Sequence, residues 1–262
     1  MASPFTIPPS LSPAFVISRC NVADTDTLGD VYYDSFKADP GNTHWWSPSR
    51  EHMMDWMRVR ISKKMHDRGI RHFKITDVES GDIVAWARWT LPEGSKYFGE
   101  WVGVEGVAAD VTTLVEDEPK PESTAPRNLE ISASAPAVEP QKKSVDVPEG
   151  ADPDLARNFF EALAVASRKW FTDDMLGLGL ICTNPKYQRR GAAKALMVPM
   201  LDIADAQGIA TYLEATPAGK PVYEKLGFRE VDALDFDLNR LTKDLDGIYR
   251  LTVMIRQPQT RQ

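Results

Sequence analysis

An α/β fold with a mixed sheet is predicted by three features of this 262-residue sequence. RHFKITDVESGDIVAWARWTLP holds two alternating apolar stretches around a turn at Glu79 to Asp82, the signature of an antiparallel hairpin. MLGLGLICT, Met175 to Thr183, is a continuous apolar run of strand length, the pattern of a strand covered on both faces. It leads to Ala195, Leu196, Val198 and Met200 at helical spacing and then to the strand ATYLEAT. Hairpin strands early and a strand-helix-strand unit late put antiparallel and parallel pairs into one sheet.

The elements follow in chain order. MASPFTIPPSLSP reads as a loose proline-rich leader, 1–14, with neither the basic segment nor the apolar core of a signal peptide. AFVISRC is a first strand, and Asp24 is placed to cap a helix whose Leu28, Val31, Tyr32, Ser35 and Phe36 share a face. PGNTHWWSPS is read as a loop. Arg50 to Arg68 is a second helix, with Met53, Met54, Trp56, Met57, Ile61 and Met65 as a broad apolar face and Gly69 as its stop. After the hairpin, KYFGEWVGVEGVAADVTTL has no clear period.

From Glu116 to Gly150 the chain carries six prolines, no aromatic residue, and eight acidic against four basic side chains. Such a stretch buries too little apolar surface to offset its ordering entropy, so it is expected to be a mobile acidic insertion, 116–150, within one domain, 15–262. In DPDLARNFFEALAVASRKWF, Asp152 caps, Pro153 takes the first helical position, and Leu155, Phe159, Leu163, Ala166 and Trp170 make one stripe. A short helix from Pro221 to Leu226, stopped by Gly227, precedes two last strands, FREVDALDFDL and YRLTVMIR.

Charge narrows the partners. The net charge is -7, of which the insertion supplies four (eight minus four), so the remainder is close to neutral. That argues against a nucleic-acid partner, which needs a clustered positive face. No apolar run approaches the ~20 residues that span a bilayer, and no membrane partner is expected. Cys20 and Cys182 are too few for a disulfide framework and point to a reducing, cytoplasmic setting.

TNPKYQRRGAAKALM, Thr183 to Met197, is where the letters turn to chemistry. Pro185 discourages helix ahead of it, and Gly191, Ala192 and Ala193 leave the backbone bare where the next helix begins. A bare helix start offers unpaired N–H donors and roughly half a positive charge, and Arg189, Arg190 and Lys194 stand beside it, so the stretch suits a phosphate or pyrophosphate. The P-loop and dinucleotide glycine patterns are both missing from the sequence.

LGLICTNPKYQRRGAAKAL followed, beyond the strand YLEAT, by PVYEKLGFREV resembles the GNAT superfamily of acyl-CoA N-acyltransferases, and within it the acetyltransferase-like proteins common in filamentous fungi. The element order from Phe15 to Arg256 is similar throughout. The chain departs from the pattern in three places: Ala193 replaces a motif glycine, a helix from Leu155 to Phe171 is added, and the insertion precedes it. The resemblance implies a GNAT fold, a mixed central sheet of about seven strands flanked by helices, with the insertion between strands 3 and 4. It implies acetyl-CoA as cosubstrate, its pyrophosphate held by Gln188, Arg189, Arg190, Gly191, Ala192, Ala193 and Lys194, and its thioester met by the strand end Leu180, Ile181, Cys182 and Thr183.

The same resemblance makes Tyr223 the general acid that protonates the leaving thiolate. Glu214, or Asp173 and Asp174, are candidate bases, and each is equally a solvated strand-end charge. Cys182 is either an acyl-accepting nucleophile or a small hydrophobe. His44, Trp45 and Trp46, with Trp86 and Trp89 on the third strand, either wall an acceptor pocket or anchor the core. The histidines His44, His52, His66 and His72 have no metal-ligand spacing, so no metal is expected. The expected reaction is direct attack by a small-molecule primary amine; a protein or peptide amine, or acyl-CoA binding without turnover, are the alternatives. Monomer and homodimer both stay open.

Overall fold

The computed structural model describes residues 11–94 and 146–259. The first ten residues of the expected leader, the stretch from Lys96 to Leu114 and residues 116–145 of the expected insertion lie outside the described residues. The alternating and apolar runs form one seven-stranded sheet, β1 (Phe15–Arg19), β2 (Ile70–Asp77), β3 (Ile83–Thr90), β4 (Leu176–Thr183), β5 (Thr211–Ala215), β6 (Arg229–Asp237) and β7 (Ile248–Arg256). Their spatial order is β1-β2-β3-β4-β5-β7-β6. Every neighbouring pair is antiparallel except β4 and β5, the two strands joined by a helical crossover. The mixed sheet read from the sequence is therefore the sheet observed.

Among the described residues the helices are α1 (Thr25–Phe36), α2 (Pro40–Thr43), α3 (Arg50–Met65), α4 (Pro153–Trp170), α5 (Ala192–Gln207), α6 (Lys220–Lys225) and α7 (Leu238–Leu241), with short 3-10 turns at Val22–Asp24 and Pro185–Tyr187. α5 covers one sheet face, its Ala195, Leu196, Met200 and Ala204 packing on Phe73, Ala87, Leu178 and Leu213. α1, α3 and α4 cover the other, where Met53, Met57, Trp45, Phe159 and Trp86 form a second apolar cluster. The buried Trp86 ring donates its indole N–H to the Leu28 carbonyl at 3.0 Å and so fastens α1 to β3.

Local signals behaved unevenly. Asp152 caps α4 as its position predicts, accepting from the N–H groups of Asp154 and Leu155, with Pro153 behind it. Asp24 does not cap α1 with its side chain. It accepts instead from the Asn21 N–H and from Lys74 Nζ on β2, at 2.8 and 2.6 Å, because a partly buried ammonium is the stronger partner. The loop PGNTHWWSPS holds the one-turn α2. α3 ends at Met65, with His66 as its C-cap, and so stops short of the expected Arg68.

Two long-range ties matter for the site. Tyr249 on β7 donates to Asp39 at 3.0 Å and presses its ring against Gly41, where any Cβ would collide with it, so the α1–α2 connection is held to the sheet. Arg256 at the end of β7 grips Asp205 on α5 through both terminal nitrogens and donates Nε to the Leu226 carbonyl at the end of α6. That buried fork locks α5 and α6 in register with each other.

Candidate active site

The site begins where two strands part. β4 and β5 pair only from Leu176 to Leu178 against Thr211 to Leu213, so from Gly179 onward the edge of β4 that faces β5 carries no ladder bonds. On its other edge β4 has a bulge: Trp89 pairs with Leu178 and Arg88 with Leu180, leaving Gly179 as the extra residue. A strict alternation would point Leu176, Leu178, Leu180 and Cys182 one way. The bulge breaks the phase, so Leu176 and Leu178 pack on the α5 side while Leu180 and Cys182 turn to the α1/α3 side.

A cavity of about 650 Å³ runs through this split. Its α5-side wall includes Gln188, Arg189, Gly191, Ala192, Ala193 and Lys194; its middle includes Leu180, Ile181, Cys182, Thr183, Glu214 and Tyr223. The size is that of a pocket able to enclose a small ligand. Among the residues singled out in the sequence, the structure thus gathers all of these around one space.

The first turn of α5 is open in the way its letters suggest. Arg189 and Gly191 have φ of 60° and 87°, left-handed values on either side of Arg190, and for the glycine this costs nothing. The first intrahelical bond runs from the Ala195 N–H to the Gly191 carbonyl, so the N–H groups of Ala192, Ala193 and Lys194 are ahead of the helical ladder. Arg190 is turned elsewhere: its guanidinium lies 4.8 Å over the Phe15 ring and 5.7 Å over Tyr187, and it is outside the cavity wall.

Tyr223 is 8% exposed on α6, its ring packed edge-on against Phe228 and its hydroxyl without a hydrogen-bond partner among the described residues. Burial pushes its pKa up, so the phenol keeps its proton. Glu214 accepts a 2.6 Å bond from the Tyr212 hydroxyl, and burial raises its carboxyl above the usual range. Cys182 sits against the Trp86 carbonyl, and burial pushes the thiol well up, so it keeps its proton and packs as a small hydrophobe in the cavity wall. Asp173 and Asp174 lie in the exposed turn before β4, away from the cavity wall.

On the α1/α3/α4 side the space widens into an aromatic chamber. Trp45, Trp56, Phe159, Phe160, Tyr32 and Phe36 line it, with Phe159 and Phe160 supplied by α4. Of the tryptophans singled out in the sequence, Trp45 lines the cavity, while Trp46, Trp86 and Trp89 do not. Two cations that sequence reasoning missed also face it, Arg60 on α3 and Arg88 on β3. The signal was present: Arg88 is the one charged residue in the strand IVAWARWT.

His72 on β2 pairs with Arg88 across the ladder, and its ring lies 5.9 Å from that of Trp86. Burial first, and then the charges of Arg88 and Lys64, lower its pKa to about 4. The unfolded value is about 6.5, so between pH 6.5 and 4 the unfolded chain binds a proton that the folded one refuses. The stability is complete above the unfolded value and is lost as pH falls. Denaturant unfolding at pH 7 and pH 4 is expected to show that His72→Phe loses about 3 kcal/mol less over this interval than the parent protein. An equal loss in both would contradict the assignment.

Among the described residues no group of three His, Cys, Asp or Glu side chains is arranged to hold a metal, and no helix is long and apolar enough to cross a membrane. Residues 166–237 match a family model described as an acetyltransferase (GNAT) domain. No curated protein sequence matches the chain. Among solved structures, the C-terminal condensation domain of Ebony, in complex with beta-alanyl-dopamine, is similar at 14% identity and a TM-score of 0.55, over 93% of this chain and 98% of that one. A GCN5-related N-acetyltransferase from Kribbella flavida is similar at 15% identity and a TM-score of 0.49, over 94% and 99% of the two chains. The PaiA N-acetyltransferase from Thermoplasma acidophilum, in complex with coenzyme A, is similar at 12% identity and a TM-score of 0.46, over 93% and 98%.

Proposed function

We propose that the chain, whose residues 166–237 match an acetyltransferase (GNAT) domain model, is an acetyltransferase of that kind and transfers the acetyl group of acetyl-CoA to the primary amine of a small molecule. The amine attacks the thioester directly, with both substrates bound. The observation that carries this reading is the continuity of one cavity from the bare start of α5, through the gap between β4 and β5, to a chamber walled by α1, α3 and α4. A diphosphate at the first end meets unpaired N–H donors, the positive end of a helix, and the side chains of Arg189 and Lys194. The acyl arm then runs along the free edge of β4.

Each residue has a role in this reading. Backbone N–H groups between Gly179 and Thr183, freed by the parting of the strands, stabilise the oxyanion that develops on the thioester carbonyl. Tyr223 gives its proton to the departing thiolate, a task suited to a phenol held neutral in an apolar setting. Glu214, whose carboxyl burial lifts toward the working pH, takes the amine's proton. The aromatic wall that Phe159 and Phe160 of α4 add to the chamber supports a small acceptor over a peptide segment, which needs a longer groove. Residues 15–262 act as a single domain in this account, and the free thiols of Cys20 and Cys182 suit a cytoplasmic protein.

Thiol release from acetyl-CoA, followed with a panel of small primary amines beside peptides with free N-termini and lysines, tests the proposal. Turnover with small amines is expected. Turnover with peptides alone would shift the acceptor class, and release with neither would remove the activity.

A further inference from the structure

The chamber holds charge as well as aromatic surface, from the guanidinium groups of Arg88 and Arg60. Arg88 projects from β3 on the face to which the Gly179 bulge turns Leu180 and Cys182. A guanidinium has five N–H groups. Among the described residues only one bond serves them, from Nη2 to the Gly179 carbonyl at 3.2 Å. The groups that act electrostatically on Arg88 are Tyr32, Arg60 and Cys182, and none is a carboxylate. Glu214, which lines the middle of the cavity, is not among them; it accepts from the Tyr212 hydroxyl.

Arg60 reaches the same chamber from α3. Its guanidinium lies 4.5 Å over the Trp56 ring and 5.2 Å over Phe160, with Nη1 3.6 Å from a carboxylate oxygen of Asp146, in a half-exposed pair. Arg60 and Arg88 oppose each other's charge, and His72 beside them stays neutral. Arg60 has the half-exposed Asp146 beside it, while Arg88 has no carboxylate acting on it among the described residues, an unfavourable arrangement for a buried cation unless a ligand supplies the negative charge.

Building on the acetyltransferase reading, we infer that the acceptor amine carries a carboxylate, held by the guanidinium groups of Arg88 and Arg60 beside the Tyr32 hydroxyl, with an aromatic or apolar body against Trp56, Phe159 and Phe160. Arg88 pairs with Leu180 across the edge of β4 opposite the free one where the thioester carbonyl is expected, and its side chain shares the chamber face of Leu180, so the carboxylate and the reacting nitrogen belong close together on the acceptor. That separation describes an amino acid with an aromatic or apolar side chain. A fork of N–H donors suits a carboxylate better than any neutral group does.

The test compares phenylalanine with phenethylamine, which keeps the ring and the amine and lacks the carboxylate. The parent protein is expected to prefer phenylalanine in kcat/KM by about 10- to 100-fold, the range of a charged hydrogen bond. Arg88→Met is expected to reduce that ratio at least about tenfold, chiefly through KM, and Arg88→Lys, which keeps the charge and loses the fork, to fall between. Equal use of the two amines by the parent protein, or an unchanged ratio in Arg88→Met, would overturn the inference. If no amine is acetylated, the parent reading fails and the anion site is read separately by titrating N-acetylphenylalanine. Binding weakened at least about tenfold by Arg88→Met then upholds the site, and binding that is absent or insensitive to the substitution overturns it.

Discussion

Tyr223→Phe is expected to lower turnover about 100-fold or more while leaving the affinity for acetyl-CoA within about twofold, because general acid catalysis contributes only when the thiolate departs. The substitution keeps the ring that packs edge-on against Phe228 at 6.0 Å. It removes a hydroxyl that has no hydrogen-bond partner among the described residues, so nothing in the fold is left unsatisfied. Loss of stability is therefore not an alternative explanation for lost turnover. Initial rates of thiol release and equilibrium titration of the same preparation separate the two quantities. Turnover that survives intact would take Tyr223 out of the mechanism and leave it as a packing residue of α6.

Gly191→Glu is expected to weaken acetyl-CoA binding about 100-fold or more. The substitution sets a carboxylate at the N-cap of α5, where the unpaired N–H groups and the helix dipole otherwise favour a diphosphate. Part of any effect comes from strain, since Gly191 has a φ of 87° and a non-glycine residue there costs on the order of 1 kcal/mol. Gly191→Asn separates the two, because asparagine tolerates left-handed backbone and brings no charge. Titration of both variants is expected to show near-parent affinity for the asparagine and the loss of about 100-fold or more for the glutamate alone. Equal losses would assign the effect to backbone strain.

These residues were legible in the sequence because their signals are local. The bare start of α5, the proline and aspartate that open α4, and the glycine that ends α6 each act within a turn of where they stand. The mixed sheet was legible for the same reason, through the hairpin turn and the apolar run of β4. What was not legible depends on partners far along the chain. Asp24 looked like a cap for α1 and is taken instead by Lys74, fifty residues on, which only the packing of β2 brings near. The bulge at Gly179 exists through the pairing of β4 with β3, and without it Leu180 and Cys182 would point at α5. Trp45, Trp46 and Trp86 looked alike as pocket candidates; their separation into one cavity wall and two residues outside it follows from which strand face and which loop turn each occupies. Arg88 was readable as an odd charge in an apolar strand, yet its facing Arg60 across a chamber is a property of the assembled fold.

In the proposed function the space between β4 and β5 is a coenzyme A cleft whose α5 end holds the diphosphate. Isothermal titration of the protein with coenzyme A, run beside pantetheine, which lacks the phosphates, tests it most directly. Micromolar binding of coenzyme A, with pantetheine at least about 100-fold weaker, is the predicted result. Equal affinity for the two, or no binding of coenzyme A, would contradict it and return the start of α5 to an ordinary solvated helix end.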